Sequence, residues 1–178
     1  AVADALRDIG IDAVMLANNH ICDNGRTGIE YTIQRLDSLG IVHTGAFVDS
    51  TRIHAGHPML FHAGGLRFAL FNYTYGTNGI PVPKGMIVNL IDTNTIRRDL
   101  ARVNRKNVDC VIVFFHWGVE YVRRPNDEQR RLAALCHQLG AEIVIGSHPH
   151  VIQPVEARRD SAGVVRSVTV YSLGNLVS

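Results

Sequence analysis

Four of the nine histidines stand at the ends of apolar runs. The three stretches are "IGIDAVMLANNH", "KNVDCVIVFFHWG" and "LGAEIVIGSHPH", which place His20, His116, His148 and His150 where strands give way to loops. Imidazole nitrogens with an amide oxygen suit Zn, Mn, Fe or Co better than Ca or Mg. In "SHPH", Pro149 fixes one backbone dihedral and biases Ser147-His148 toward extended geometry. Two imidazoles on such a stiff segment can serve one ion or two neighbouring ions. Alone, the pair reads better as a turn whose histidines cap backbone groups, but beside two further strand-end histidines it points to metal. The loop "ANNHICDNG" supplies Asn18, Asn19, His20 and Asp23, an amide ligand next to an acid/base histidine. An Asx-rich turn would explain the same asparagines without chemistry.

The elements that must carry these residues follow from periodicity. Val2, Leu6 and Ile9 repeat at helical spacing before Gly10, and "IDAVML" reads as a short strand. Ile29, Ile33 and Leu36 mark a second helix that stops at Gly40, followed by a strand at "IVHTGA". Residues 57–74 read as a hairpin turning at Gly64-Gly65. After the Gly/Pro loop "YGTNGIPVPKG" come a strand at "MIVNLI" and a helix through Ile96, Leu100 and Val103. Asn126 and Gln129 form a capping box for a helix carrying Leu132, Leu135 and Leu139. The tail from Val151 reads as two strands around "RRDSAG". The fold class is α/β with mixed sheets, as one domain over residues 1–178. Ligands of open α/β sheets bind beyond the carboxyl ends of strands. If the three histidine-bearing strands run parallel in one sheet, all four histidines share one rim.

His43, His54, His57, His62 and His137 lack this placement and read as structural or surface residues. Cys22 lies in the candidate loop and reads as a small packing residue. Arg123 and Arg124 follow the His116 strand, where guanidinium groups could hold phosphate or carboxylate.

Composition narrows the class further. Hydrophobic residues make up 46% and charged residues 19% of 178, a globular balance. The formal charge of +2 gives no reason to expect nucleic acid or an anionic membrane surface. Cys22, Cys110 and Cys136 form neither a disulfide framework nor a CxxC pair. No apolar run approaches the roughly 18 residues of a membrane span, and no signal peptide is visible. The chain begins at Ala1 rather than Met, so the natural N-terminus is expected elsewhere. GxSxG, P-loop and GxGxxG motifs are missing, as is an evident carboxylate pair for glycoside hydrolysis.

The stretches "LANNHICDNG", "HWGVEY", "IGSHPHVIQPVE" and "YSLGN" together resemble the bacterial capsule-synthesis CapA family, also called the poly-γ-glutamate capsule or PgsA-like family, of the calcineurin-like metallophosphoesterase superfamily. The resemblance runs from about Ile11 to Asn175. It implies layered mixed β-sheets flanked by helices, and divalent transition metals (Mn, Fe or Zn), two in the full domain. It implies Asn19, His116, His148 and His150 as metal ligands, with His148 and His150 serving one ion each. His20 would be the acid that protonates the leaving group, or would stabilise the transition state. Asp23, Glu120 and Asn175 would support the site. The implied activity is attack of a metal-activated hydroxide on a phosphate ester. The alternative is a non-catalytic component that binds or exports anionic polymer, or a scaffold with a vestigial site. The superfamily's first motifs, a Gly-Asp stretch and an Asn-Leu-Glu stretch bearing the bridging carboxylate, are not found among these residues. The chain is therefore expected to be an internal fragment, incomplete at the N-terminal side, that binds metal weakly or at one position. The implied partners are an anionic polymer or phosphoester and other capsule-synthesis proteins. The implied location is the cell envelope, outside the cytoplasm, anchored through a segment absent from this chain.

Overall fold

A computed structural model describes residues 2–51 and 56–176. The elements in chain order are α1 (Val2–Asp8), β1 (Ala13–Met15), α2 (Gly25–Leu39), β2 (Val42–Thr44), β3 (Ala46–Phe47), β4 (Met59–Ala63), β5 (Leu66–Thr74), β6 (Ile87–Val88), α3 (Thr93–Ala101), β7 (Cys110–His116), α4 (Asp127–Gln138), β8 (Ile143–Ser147), β9 (Val155–Arg159) and β10 (Val165–Val170). A six-stranded sheet runs β4-β5-β7-β8-β10-β9. Its four inner strands are mutually parallel, and β4 and β9 close the edges antiparallel. β1 and β2 form a separate parallel pair, and β3 and β6 an antiparallel one.

The separate β1–β2 pair corrects one expectation. β7 and β8 are neighbours in the central sheet, but the strand leading to His20 lies outside it. β1 pairs instead with β2, the strand that α2 delivers, and α2 buries Ile29, Ile33 and Leu36 over that pair. Each buried side chain of this kind contributes about 1.5–3 kcal/mol. The small sheet is tied to the large one by Asn72, fully buried in β5, whose Oδ1 accepts from the Ala17 N–H at 2.8 Å. Gly45 makes that approach possible, because a Cβ there would lie 2.0 Å from the same oxygen. It also splits the expected "IVHTGA" strand into β2 and β3.

The hairpin forms as expected, with Gly64 and Gly65 both at positive φ, as a two-residue primed turn requires. The "MIVNLI" strand shrinks to Ile87–Val88, paired only with the two residues of β3. α3 begins at Asp92, whose side chain accepts from the Thr95 N–H at 2.7 Å, and ends before Val103. The capping box at Asn126 and Gln129 is present in full. α3 and α4 cover one sheet face through Ile96, Leu100, Leu132, Ala133 and Cys136.

Of the histidines outside the strand ends, His57 is buried in a polar cluster where Asp99 Oδ2 accepts from the Tyr73 hydroxyl at 2.9 Å and lies 3.1 Å from His57 Nε2. His43 pairs with Asp37, and His62 is exposed on β4. His54 lies outside the described residues. His137 donates from Nδ1 to the Ala141 carbonyl at 2.8 Å and faces Thr169 Oγ1 through Nε2 at 2.7 Å, which stitches α4 to β10. Burial is the main reason its pKa falls below the ordinary 6.5. A histidine with a lowered folded pKa resists protonation in the native state while the unfolded chain accepts the proton. Its contribution is therefore present above about pH 6.5 and is lost as pH falls below it. His137→Gln is expected to flatten the acid-side loss of thermal stability between pH 6.5 and 5. An unchanged slope would assign that loss to other groups.

Candidate metal centre

Parallel register alone gathers half the site. Thr74, His116 and Ser147 are Cα partners at the carboxyl ends of β5, β7 and β8. The next residues, Tyr75, Trp117 and His148, therefore leave the sheet side by side. Trp117 turns inward, stacks on Phe115 at 4.5 Å, and donates its indole N–H to the Tyr171 carbonyl at 2.9 Å. Tyr75 turns outward over His116 and His148, with centroids 6.3 and 4.8 Å away. The rings of His116 and His148 are 4.8 Å apart, and those of His148 and His150 are 6.0 Å apart.

The small sheet brings its loop to the same place. Asn19 Oδ1 lies 2.8 Å from His116 Nε2, although 97 residues separate them in sequence. His116 Nδ1 faces Ser147 Oγ at 3.0 Å, and Ser147 in turn reaches the Phe115 carbonyl. The 2.8 Å contact to the amide oxygen takes a hydrogen on Nε2; when an ion binds, Ser147 Oγ is placed to accept the hydrogen on Nδ1 and so leave the Nε2 lone pair for the metal. Burial, and then the nearby histidines, push the His116 pKa down to about 3, so the ring is neutral at physiological pH. His148 is also lowered, chiefly by burial.

His150 Nδ1 pairs with Asn175 Oδ1 at 2.7 Å, so Nε2 is turned toward Glu120, 4.0 Å from Oε1. Glu120, His148 and His150 each offer a ligand atom within 4.8 Å of the others. His148 stands between this trio and the Asn19–His116 pair, and its Nδ1 is buried without a hydrogen-bond partner. An unpaired buried nitrogen is costly unless something occupies it. The neutral His116 imidazole, the Asn19 amide oxygen and that orphaned His148 nitrogen match the donor set of a divalent transition metal, so the residues present fit the ion that the donor chemistry calls for.

His20 is exposed and pairs through Nδ1 with Asp23 Oδ2 at 2.8 Å, leaving Nε2 free. Asn19, His20, His116, His148 and His150, with Asp23, Glu120 and Asn175 around them, thus form one continuous constellation. Arg123 and Arg124 are not drawn into it. Both are exposed on the loop before Pro125, and neither side chain bonds to another described residue.

The backbone departs from expectation at "SHPH". The segment is not extended: His148 and His150 have φ of 94° and 58°. The chain reverses here because the Tyr121 N–H bonds to the Pro149 carbonyl and the Leu173 N–H to the Gly146 carbonyl, pinning the segment from two sides. Among the described residues, positive φ outside glycine occurs at Asn78, Tyr121, His148 and His150, all at this rim. Such strain costs about 1–3 kcal/mol per residue and clusters at functional sites.

Sequence reasoning missed Tyr75, Asn78 and Tyr121. Tyr121 stacks on His150 at 5.7 Å, and Asn78 bonds to Asn19. The signal available was an Asn-Gly pair in a loop that directly follows an apolar strand.

The family model described as "Bacterial capsule synthesis protein PGA_cap" matches residues 1–178. The chain is 31% identical over 175 residues to the PGA biosynthesis protein CapA of Bacillus subtilis (strain 168), covering 97% of this chain and 44% of that protein. It is 28% identical over 181 residues to the capsule biosynthesis protein CapA of Bacillus anthracis, covering 97% and 41%. The chain thus spans less than half the length of either relative. Among solved structures, the NAD nucleotidase NadN of Haemophilus influenzae superposes with a TM-score of 0.60 at 14% identity, over 95% of this chain and 31% of that one. The Thermus thermophilus sulfate thiohydrolase SoxB gives 0.60 at 17%, over 97% and 29%. Both likenesses show the fold, an arrangement of mixed sheets flanked by helices. Matched over its whole length by the family's model, the chain belongs to the bacterial capsule synthesis protein PGA_cap family.

Proposed function

We propose that this chain carries the metal-binding face of a phosphoesterase-type hydrolase that acts in capsule or poly-γ-glutamate synthesis at the cell envelope. The observation that carries the reading is the meeting of Asn19 Oδ1, His116 Nε2 and the orphaned His148 at one sheet rim, with an oriented His20 beside them. Asn19, His116 and His148 would hold one ion, and His150 with Glu120 would hold a second. Divalent Mn, Fe or Zn would supply Lewis-acid polarisation of a phosphoryl oxygen and acidify a water. The protein's own groups do the rest. When an ion binds, Ser147 and Asn175 fix the tautomers of His116 and His150 so that each Nε2 carries a lone pair. Asp23 holds His20 through Nδ1, which orients the ring so that Nε2 can deliver a proton to the leaving oxygen. Arg123 and Arg124, exposed and unpaired, engage a phosphoryl or carboxylate group from outside the ligand set.

That free arginine pair also favours a second reading, in which the rim retains anionic polymer without cleaving it. The two separate in one experiment on the full-length protein. Mn content is measured by elemental analysis, and hydrolysis of a chromogenic phosphodiester is followed with and without chelation. The hydrolase reading expects bound Mn, chelator-sensitive turnover, and loss of both in His148→Ala. Bound Mn without turnover would favour polymer retention, and turnover that survives chelation would overturn the metal site.

A further inference from the structure

The least explained residue at the rim is Asn78. It sits in the loop between β5 and β6, far in sequence from every strand-end histidine. Thr77, Asn78, Gly79 and Ile80 form a tight turn in which the Ile80 N–H bonds to the Thr77 carbonyl at 2.9 Å. Asn78 and Gly79 have φ of 53° and 75°, both left-handed, which is the pairing that a type I′ turn requires. The turn therefore accounts for the backbone at Asn78. It does not account for where the side chain goes.

That side chain crosses to the asparagine loop. Asn78 Oδ1 accepts from Asn19 Nδ2 at 3.2 Å, and Asn78 Nδ2 lies 3.5 Å from His20 Nδ1. Tyr75, whose ring packs over His116 and His148, places its hydroxyl 3.4 Å from the same Asn78 oxygen. Asn19 is 4% exposed, so water cannot readily substitute for a lost partner. Its amide has two nearly isosteric ends. Only the oxygen can donate a lone pair to a cation, because the amide nitrogen's pair is delocalised and carries two hydrogens. An acceptor on the nitrogen side decides which end faces His116. Asn78 supplies that acceptor.

We propose that Asn78 is a positioning residue that locks the Asn19 amide with Oδ1 toward His116 Nε2, and so sets the ligand atom of the metal centre. This inference rests on the metal-site reading above. Without the Asn78 oxygen, the Asn19 amide can rotate and present NH2 where the ligand oxygen belongs. The His20 ring, touched by the other end of Asn78, loses a neighbour at the same time.

The turn permits a clean test. Asn78→Gly keeps the left-handed backbone, since glycine is equally suited to it, and removes only the side chain. Asn78→Asp keeps the turn and the acceptor toward Asn19 Nδ2. In the full-length protein, Mn(II) affinity is measured by calorimetry after metal removal, alongside the metal-free melting temperature. Loss of a group that orients a ligand typically weakens metal binding by about 10–100-fold. Asn78→Gly is expected to show such a loss with a metal-free melting temperature close to the unsubstituted protein's. Asn78→Asp is expected to stay within about threefold, because the acceptor survives. Unchanged Mn(II) affinity in Asn78→Gly overturns the inference, as does an equal loss in both variants. Failure of the unsubstituted protein to bind Mn(II) would overturn the metal reading itself, and the inference with it.

Discussion

Replacing His20 with alanine is expected to lower phosphodiester turnover of the full-length protein by about 10²–10⁴-fold, the range for loss of a positioned acid or base, while leaving its metal content intact. The reason is geometric. His20 is exposed, its Nδ1 is taken by Asp23 at 2.8 Å, and its Nε2 is free. The bond to Asp23 fixes the ring so that Nε2 faces outward, where a leaving oxygen can take its proton. Asp23→Asn keeps a hydrogen-bond partner but removes the carboxylate charge, so it should fall between the unsubstituted protein and His20→Ala. Loss of metal from His20→Ala would place His20 among the ligands and contradict the division of roles. Intact turnover with intact metal would remove it from the chemistry altogether.

The site was legible in the sequence where its residues announced themselves by strand-end placement. An apolar run that ends in histidine is visible without any fold, and three such runs located His20, His116, His148 and His150. What the text could not convey was how they meet. The one-sheet arrangement fails because the three residues of β1 pair with β2, and the small sheet is tied to the central one by contacts such as the buried Asn72 side chain rather than by strand pairing. A cross-sheet amide has no periodic signature. Asn78 escaped for a related reason: an Asn-Gly pair is fully explained as a turn, so nothing local betrays a side chain that crosses to Asn19. The same limit applies at "SHPH". The local influence of Pro149 favours extended backbone at His148, yet tertiary hydrogen bonds to Tyr121 and Leu173 hold the segment in a reversal. Helices were easier, because α2 and α4 carry their signal within a few turns, as buried stripes and, at Asn126, a complete capping box.

Gly146 is where fold and site depend on a single missing atom. It precedes Ser147 and His148 in β8. A Cβ there would lie 2.0 Å from the Tyr171 carbonyl oxygen and 2.3 Å from Trp117 Nε1, well inside any tolerable contact. Neither neighbour can yield at low cost: one is backbone, the other a buried indole that donates to that same oxygen at 2.9 Å. Gly146→Ala must push Trp117 off Tyr171, break that bond, or shift β8. Overpacking costs about 1–3 kcal/mol, and an orphaned buried donor adds about 1–3 kcal/mol. The expected result is a melting temperature well below that of the unsubstituted protein, with metal affinity reduced because His148 follows two residues later. Gly76→Ala is the matched control. Its Cβ meets open space, and its backbone is not left-handed, so its melting temperature should be nearly unchanged. If both variants melt alike, Trp117 has room to move and the rim is softer than its packing implies. If Gly146→Ala melts low yet binds Mn(II) at full strength, then β8 absorbs the strain on its Tyr171 side, and the histidines are held in place by the Tyr121 and Leu173 hydrogen bonds rather than by the strand that delivers them.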